Sequence, residues 1–369
     1  MNALEYNVKK IVNVHKHVDG GYFWDKYTAH PYIGCQHRCE FCYEIGTKYN
    51  PAKTPEEFGK TIKVKINSPE LLRKELARLP KDIILTGDYQ PVDAKYKLSR
   101  QFLEICLEAE FPVLIVERSP LVLRDLDLLT EIHKKSWACV IFSMSHAVSD
   151  GYRNVFEPHA PRVEQRFEAM REISAAGIPT GTAFMPILPF ISDSKENIEA
   201  IVRQTQAHGG NFVIGGGLSM NNSQKERYIQ LIGQYFPQLM ERYNNYFNAD
   251  EELSKKYFSV VGKRIRSFCN EYGISDRMPR YIPDNELGIN KKVAEKLFLS
   301  VYESELNCDN SYKIWAYRKA AWIVDELPES IEVIFRQKGI EGIAAIEGIG
   351  KSVANKISAI LEGNIEFGK

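Results

Sequence analysis

No stretch of this chain is apolar for the roughly 20 residues that a membrane-spanning helix needs. The longest apolar runs, residues 111–116 and 187–191, read as a core strand and a strand end. The first residues hold no apolar segment suited to a secretory signal, so the expected address is cytoplasmic, with no membrane partner. Net charge is also missing: 48 Lys and Arg face 48 Asp and Glu. Bulk charge therefore gives no broad grip on nucleic acid, although local clusters still can. There is no repeat of fixed period and no low-complexity tract. With 44% hydrophobic and 26% charged residues, wholesale disorder is excluded. Cysteine is sparse and odd in number, seven in 369 residues, which argues against a disulfide framework. Three of the seven, however, fall within eight residues.

Residues 1–34 are polar and aromatic. Beyond them, strand-like runs at 82–86, 112–116, 138–142, 180–185 and 212–214 alternate with helix-period segments at 68–79, 97–110, 121–134, 161–176 and 194–206. Strands alternating with helices of 10–15 residues imply βα units around a parallel sheet. About six units fit between residues 35 and 217, as a partial barrel or part of a larger one. Residues 223–282 read as helical and rich in Tyr, Gln and Lys, and residues 285–369 as wholly helical. The expected domains are 1–220, 221–284 as a helical extension and linker, and 285–369.

The cysteines stand as Cys35-Gln36-His37-Arg38-Cys39-Glu40-Phe41-Cys42. Three thiolates spaced C-x3-C-x2-C suit zinc or an iron–sulfur cluster. Structural zinc wants four ligands, and no second pair of suitable spacing follows; His30 or His37 would have to serve. A four-iron cluster with three protein ligands is the other solution.

This spacing, with an aromatic before the last Cys and a βα series behind it, resembles the radical S-adenosylmethionine (SAM) enzymes. Tyr32-Ile33-Gly34-Cys35, Leu85-Thr86-Gly87-Asp88-Tyr89-Gln90-Pro91, Ser119-Pro120-Leu121 and Glu157-Pro158 are similar to the spore photoproduct lyase-like group within that family. The resemblance implies an α/β fold, a partial (βα)6-type barrel. It implies that Cys35, Cys39 and Cys42 ligate a [4Fe-4S] cluster whose fourth iron takes SAM. One electron then cleaves SAM to a 5′-deoxyadenosyl radical that abstracts hydrogen, the electron coming from a donor such as ferredoxin or flavodoxin. Phe41 is expected near the adenine and Asp88 at the SAM ammonium. Glu117, Ser119, Ser143 and Ser145, at the ends of the following strands, are the remaining cofactor candidates. Tyr43 matches the lyases' tyrosine after the last cluster cysteine, and is the candidate catalytic residue. One position departs from the pattern: the lyases' hydrogen-donor cysteine is replaced by Leu85. Cys139 or Cys269 is open as a substitute.

Near the C-terminus, Ile346-Glu347-Gly348-Ile349-Gly350-Lys351 opens a helix through a glycine hairpin. Amides at such a helix start bind phosphate without needing net positive charge. With residues 291–305 and 316–331, this segment resembles the N-terminal helical domain of family X DNA polymerases, which implies an all-α helix-hairpin-helix domain. Its DNA-facing candidates are Gly348, Gly350, Lys351, Lys356, Lys313 and Tyr317. The family's Schiff-base lysine falls on Lys356. Residues 285–369 carry 11 Lys and Arg against 13 Asp and Glu, unusual for a DNA-binding unit. The combined expectation is a radical SAM enzyme acting on nucleic acid, in DNA lesion repair or base modification. A peptide or small-molecule substrate with a protein-docking tail, or a non-enzymatic iron–sulfur protein that binds damaged DNA, stays open.

Overall fold

The computed structural model describes residues 2–46, 48–52, 54–147, 150–220, 222–249 and 251–363. The chain folds into two compact units, the first built from residues 1–15, 25–254 and 261–278, the second from residues 16–24, 255–260 and 279 onward.

Among the described residues, the first unit holds ten strands: β1 (Asn2–Tyr6), β2 (Asn13–Val14), β3 (Tyr27–Ala29), β4 (Tyr32–Ile33), β5 (Thr61–Lys65), β6 (Ile84–Thr86), β7 (Val113–Glu117), β8 (Ala138–Met144), β9 (Thr180–Ile187) and β10 (Val213–Gly217). Seven form one sheet in the order β10-β9-β8-β7-β6-β3-β2. From β3 to β10 all pairs are parallel and follow chain order, so six parallel strands make an open, partial barrel. Strands β1, β5 and β4 form a small separate sheet. All seven residues of β8 are buried, as expected for a parallel strand covered on both faces.

The connecting helices Ser68–Leu76, Leu98–Glu108, Val163–Ala175 and Lys195–Ala207 lie within a few residues of the positions read from periodicity. The expected helix at 121–134 is instead a 3-10 turn, Pro120–Asp125, running into the helix Leu126–Lys135. A short helix at Asp150–Phe156 had no sequence signal. The first parallel strand, β3, lies upstream of residue 35, inside the segment read as a polar extension. Three residues are too few to display an alternation, yet Tyr27 and Ala29 are buried. The cysteine loop thus follows the first barrel strand.

The second unit contains the helices Gly288–Leu306, Ser311–Asp325, Ile331–Ala344 and Lys351–Leu361. The third is broken at Gly339, whose φ of 61° and ψ of −156° are not helical. The unit is wider than residues 285–369, because a loop from near the N-terminus is part of its core. Asp19 shapes that loop by accepting from the amides of Gly21 (3.2 Å), Phe23 (2.8 Å) and Trp24 (3.1 Å). Trp24 is 2% exposed. It meets the Phe298 ring edge-on at 5.6 Å and lies 4.7 Å under the Arg280 guanidinium. His17 stacks on Trp322 at 4.6 Å, and the Trp322 indole donates to the Val18 carbonyl.

Removing a buried aromatic costs about 3–5 kcal/mol through lost contacts and a residual cavity. Trp24→Ala should therefore speed hydrogen exchange throughout Gly288–Leu306. Unchanged protection there would show that the N-terminal loop is not part of this core.

Candidate active site

The cysteine loop is bound to the barrel by backbone-directed side chains. Gln90, just past β6, accepts from the Gln36 amide (3.0 Å) and donates to the Gly34 carbonyl (3.0 Å). The Gln36 side chain in return accepts from the Val92 amide. Gly59, at φ +74°, passes so close that a Cβ there would stand 2.4 Å from the Cys35 carbonyl oxygen; only glycine combines that φ with that approach. On the other side, Gln224 of the helix Asn222–Tyr235 donates to the carbonyls of Phe41 (2.9 Å) and Cys42, and Arg227 pairs with Glu40. None of these clamps was anticipated as site machinery. Gln36 and Gln90 lie in quoted family segments, whereas Gln224 carries no local signal.

Cys39 is buried, Cys35 and Cys42 are half-buried, and none forms a disulfide. Burial pushes all three thiols up, Cys39 to about 11; Cys42 further raises Cys35, while Glu44 and Cys39 further raise Cys42. Three desolvated, mutually repelling thiols become thiolates only against a strongly cationic centre, and soft thiolates suit iron in a cluster. Among the described residues, no three His, Cys, Asp or Glu side chains are arranged to hold a single metal ion. Three thiolates suit a four-iron cluster, whereas a structural zinc wants a fourth protein ligand.

Above the strands' C-terminal ends the remaining candidates are placed unequally. Asp88 follows β6; its carboxylate lies 3.6 Å from His30 Nδ1, and the Lys65 ammonium donates to the His30 carbonyl (2.6 Å). Glu44 is pushed up to about 7, first by burial and then by Asp88. Tyr43 is 60% exposed in the turn after Cys42. Glu117 is buried, with its two carboxylate oxygens accepting from the amides of Tyr89 (2.8 Å) and Arg118 (3.2 Å). Burial and Asp88 nevertheless push it up to about 8. Its visible work is to hold the turn that carries Asp88. Ser119 accepts from the Leu121 amide (3.2 Å) and so caps the following turn, while the Ser143 hydroxyl donates to the Met185 carbonyl (2.9 Å). The Ser145 hydroxyl is buried and has no hydrogen-bond partner among the described residues.

Leu85 lies in β6, in register with Leu114 of β7, which is itself in register with Cys139 of β8. Cys139 is the second residue of its strand. At about 3.3 Å per residue, the strand's C-terminal end is roughly 16 Å away. Cys269 lies beside the start of β10, since Ser275 bonds to Val213 and Ile274 to Cys269. The two thiols are thus placed near the starts of β8 and β10.

A further element was not foreseen. Glu157 and Arg166 are fully buried. Glu157 pairs with Arg118 at 2.6 Å and with Arg166. Arg118 also donates to the Met185 carbonyl (2.9 Å), Arg166 to the Ser143 carbonyl (3.0 Å). The Arg118 guanidinium lies 5.2 Å above the Phe41 ring. Burial opposes the Glu157 charge, but the two arginines outweigh it and hold the carboxyl far below the usual range. Its one sequence signal was the Glu157-Pro158 pair.

In the second unit, Lys356 Nζ lies 4.9 Å over the Tyr317 ring. Burial, and then Lys313, lower the Lys356 pKa. Lys313 itself is 3.8 Å from Asp309. The structure thus gathers Lys313, Tyr317 and Lys356. Gly348 has φ +86°, and a Cβ there would meet Ile323 at 2.5 Å. Gly350, expected to share that role, has an ordinary extended φ of −79° and open space around it; it is the N-cap before Lys351.

Residues 30–204 match the model of the radical SAM superfamily. This span is a radical SAM domain, and the chain is an enzyme whose cofactors are a [4Fe-4S] cluster and SAM. An uncharacterised protein of Mycobacterium tuberculosis is 24% identical over 72% of this chain and 79% of its own. One from Methanocaldococcus jannaschii is 28% identical over 65% and 86%. A spore photoproduct lyase mutant superposes with a TM-score of 0.52 at 14% identity, over 73% of this chain and 79% of that one. Another lyase mutant, solved with SAM and dinucleoside spore photoproduct, gives 0.51. At that identity the likeness is one of fold.

Two outcomes test the site. Anaerobically prepared protein should carry about four irons per chain, and Cys39→Ala should lose them; one zinc and no iron would contradict the cluster. Glu157→Gln leaves the buried Arg166 and the half-buried Arg118 without their counter-charge, a loss of about 3–5 kcal/mol. Urea unfolding followed by circular dichroism should show it, and an unshifted midpoint would mean the carboxylate is dispensable.

Proposed function

We propose that this enzyme acts on nucleic acid, repairing a DNA lesion or modifying a base. The observation that carries the reading is one chain joining a lyase-like radical SAM barrel to a helical unit with a glycine hairpin and a Lys313–Tyr317–Lys356 group. In this reading Cys35, Cys39 and Cys42 hold the cluster, Asp88 takes the SAM ammonium, and Phe41 backs the adenine, with Glu117, Ser119, Ser143 and Ser145 around them. When bound, the cluster and SAM supply one-electron chemistry that generates a hydrogen-abstracting carbon radical. The chain's own residues orient SAM, exclude water and position the substrate. Leu85 offers no thiol, and Cys139 and Cys269 lie near the starts of β8 and β10, so in this reading hydrogen return falls to the exposed Tyr43 or to 5′-deoxyadenosine.

Ordinary spore photoproduct is therefore expected to be a poor substrate, while oligonucleotides bind. The hairpin amides, with Lys351 and Lys356, grip the phosphate backbone in this reading. Gly348→Val, which strains a positive φ and collides with Ile323, should cut duplex binding in an anisotropy titration at low salt. Binding equal to wild type would favour the rival reading, a protein-docking tail, which the slight acidic excess of residues 285–369 supports. Rapid catalytic restoration of thymines from spore photoproduct by the unaltered enzyme would remove the argument from Leu85.

A further inference from the structure

Beyond the cofactor loop, the first unit carries a run of aromatic rings ending in cations. The rings belong to the cluster of side chains that includes Cys39, Phe41 and Cys42 and extends through Phe156, Tyr228 and Tyr243 to Phe190 and Phe247. Its outer part is a ladder. The Arg242 guanidinium lies 4.0 Å over the Phe190 ring. Phe190 meets Tyr246 edge-on at 6.2 Å, Tyr246 meets Phe247 at 5.4 Å, and Lys225 Nζ lies 4.8 Å over Phe247. Phe190 follows β9, at the end of the sheet where Asp88 and Glu117 lie. It is held at φ 64°, a left-handed conformation that bulky residues adopt at a cost of about 1–3 kcal/mol. The ring is fixed from below, since Tyr243 meets it edge-on at 5.5 Å and donates to the Pro189 carbonyl at 2.6 Å.

The two cations differ from the arginines near them. Arg227, Arg118 and Arg166 each pair with a carboxylate. Among the described residues, Arg242 and Lys225 have no carboxylate partner, and their contacts are the aromatic faces. A guanidinium stacked on a ring keeps its N–H fork free for a phosphate. Cations interleaved with rings are what a single nucleic-acid strand needs, phosphates on the charges and bases on the faces.

We propose that Arg242, Phe190, Tyr246, Phe247 and Lys225 form a binding site for a single-stranded or locally unpaired nucleotide segment, Arg242 and Lys225 taking the phosphates either side of a base at Phe190 and Tyr246. This rests on the nucleic-acid function proposed above and adds where the strand lies on the catalytic unit.

The test uses the full-length, cluster-loaded protein and a fluorescein-labelled oligo(dT), with affinity read by anisotropy across a salt series. Arg242→Gln/Lys225→Gln should weaken binding roughly tenfold and make the salt dependence shallower by about 1.4, two contacts at about 0.7 each. Tyr246→Leu should weaken binding without changing that slope. Iron content and circular dichroism equal to wild type establish that each variant is folded. The same losses in a Gly348→Val background would place the contacts apart from the hairpin and support the site. Unchanged affinity and slope in the double variant, with Gly348→Val still impaired, would overturn the ladder and leave the nucleic-acid function standing. Failure of the unaltered protein to bind any oligonucleotide would overturn both.

Discussion

The Glu157 carboxylate, held between Arg118 and Arg166, is the contact on which the working end of the barrel depends. Glu157 and Arg166 are taken out of water there and Arg118 largely so, an arrangement tolerated only when every group is matched. Around it, Arg118 reaches the carbonyl of Met185 in β9, and Arg166 the carbonyl of Ser143 in β8. Three successive strands are thus fixed relative to one another near their C-terminal ends. The same Arg118 lies over Phe41, so the charge network also sets one wall of the cysteine loop.

Most polar groups at the strand ends are committed to backbone before any ligand arrives. Glu117 holds the turn that carries Asp88, Ser119 caps a turn, and Gln36 and Gln90 clamp each other's loops. A loop carrying three thiols has few apolar side chains of its own to bury. It is ordered instead by directed hydrogen bonds, which fix geometry more sharply than hydrophobic contact does. That pre-organisation suits chemistry in which the cofactors supply the reactivity and the protein supplies position and dryness.

The second unit shows the same economy with different means. Its helices leave aromatic surface at Phe298 and Trp322, and residues 16–24 cover it. Those residues lie in the chain between β2 and β3 of the barrel sheet. The helical unit is therefore not a simple tail; its core is completed by chain that leaves the barrel sheet and returns to it.

The local sequence determined the parallel α/β alternation, most of the barrel helices to within a few residues, the cysteine loop and the turn glycine at 348, whose φ is positive. These rest on short-range rules: period, turn chemistry and ligand spacing. Strand β3 escaped because three residues show no period. The roles of Gln224, of Arg166 opposite Glu157, and of Trp24 in the helical unit were decided only in three dimensions. Their partners lie 182, 9 and 274 residues away in the chain, and even the nearest pairing depends on burial that no local pattern encodes. A buried ion pair or a side chain bonded to a distant carbonyl has no periodicity; it becomes visible only when folding brings both groups out of water together.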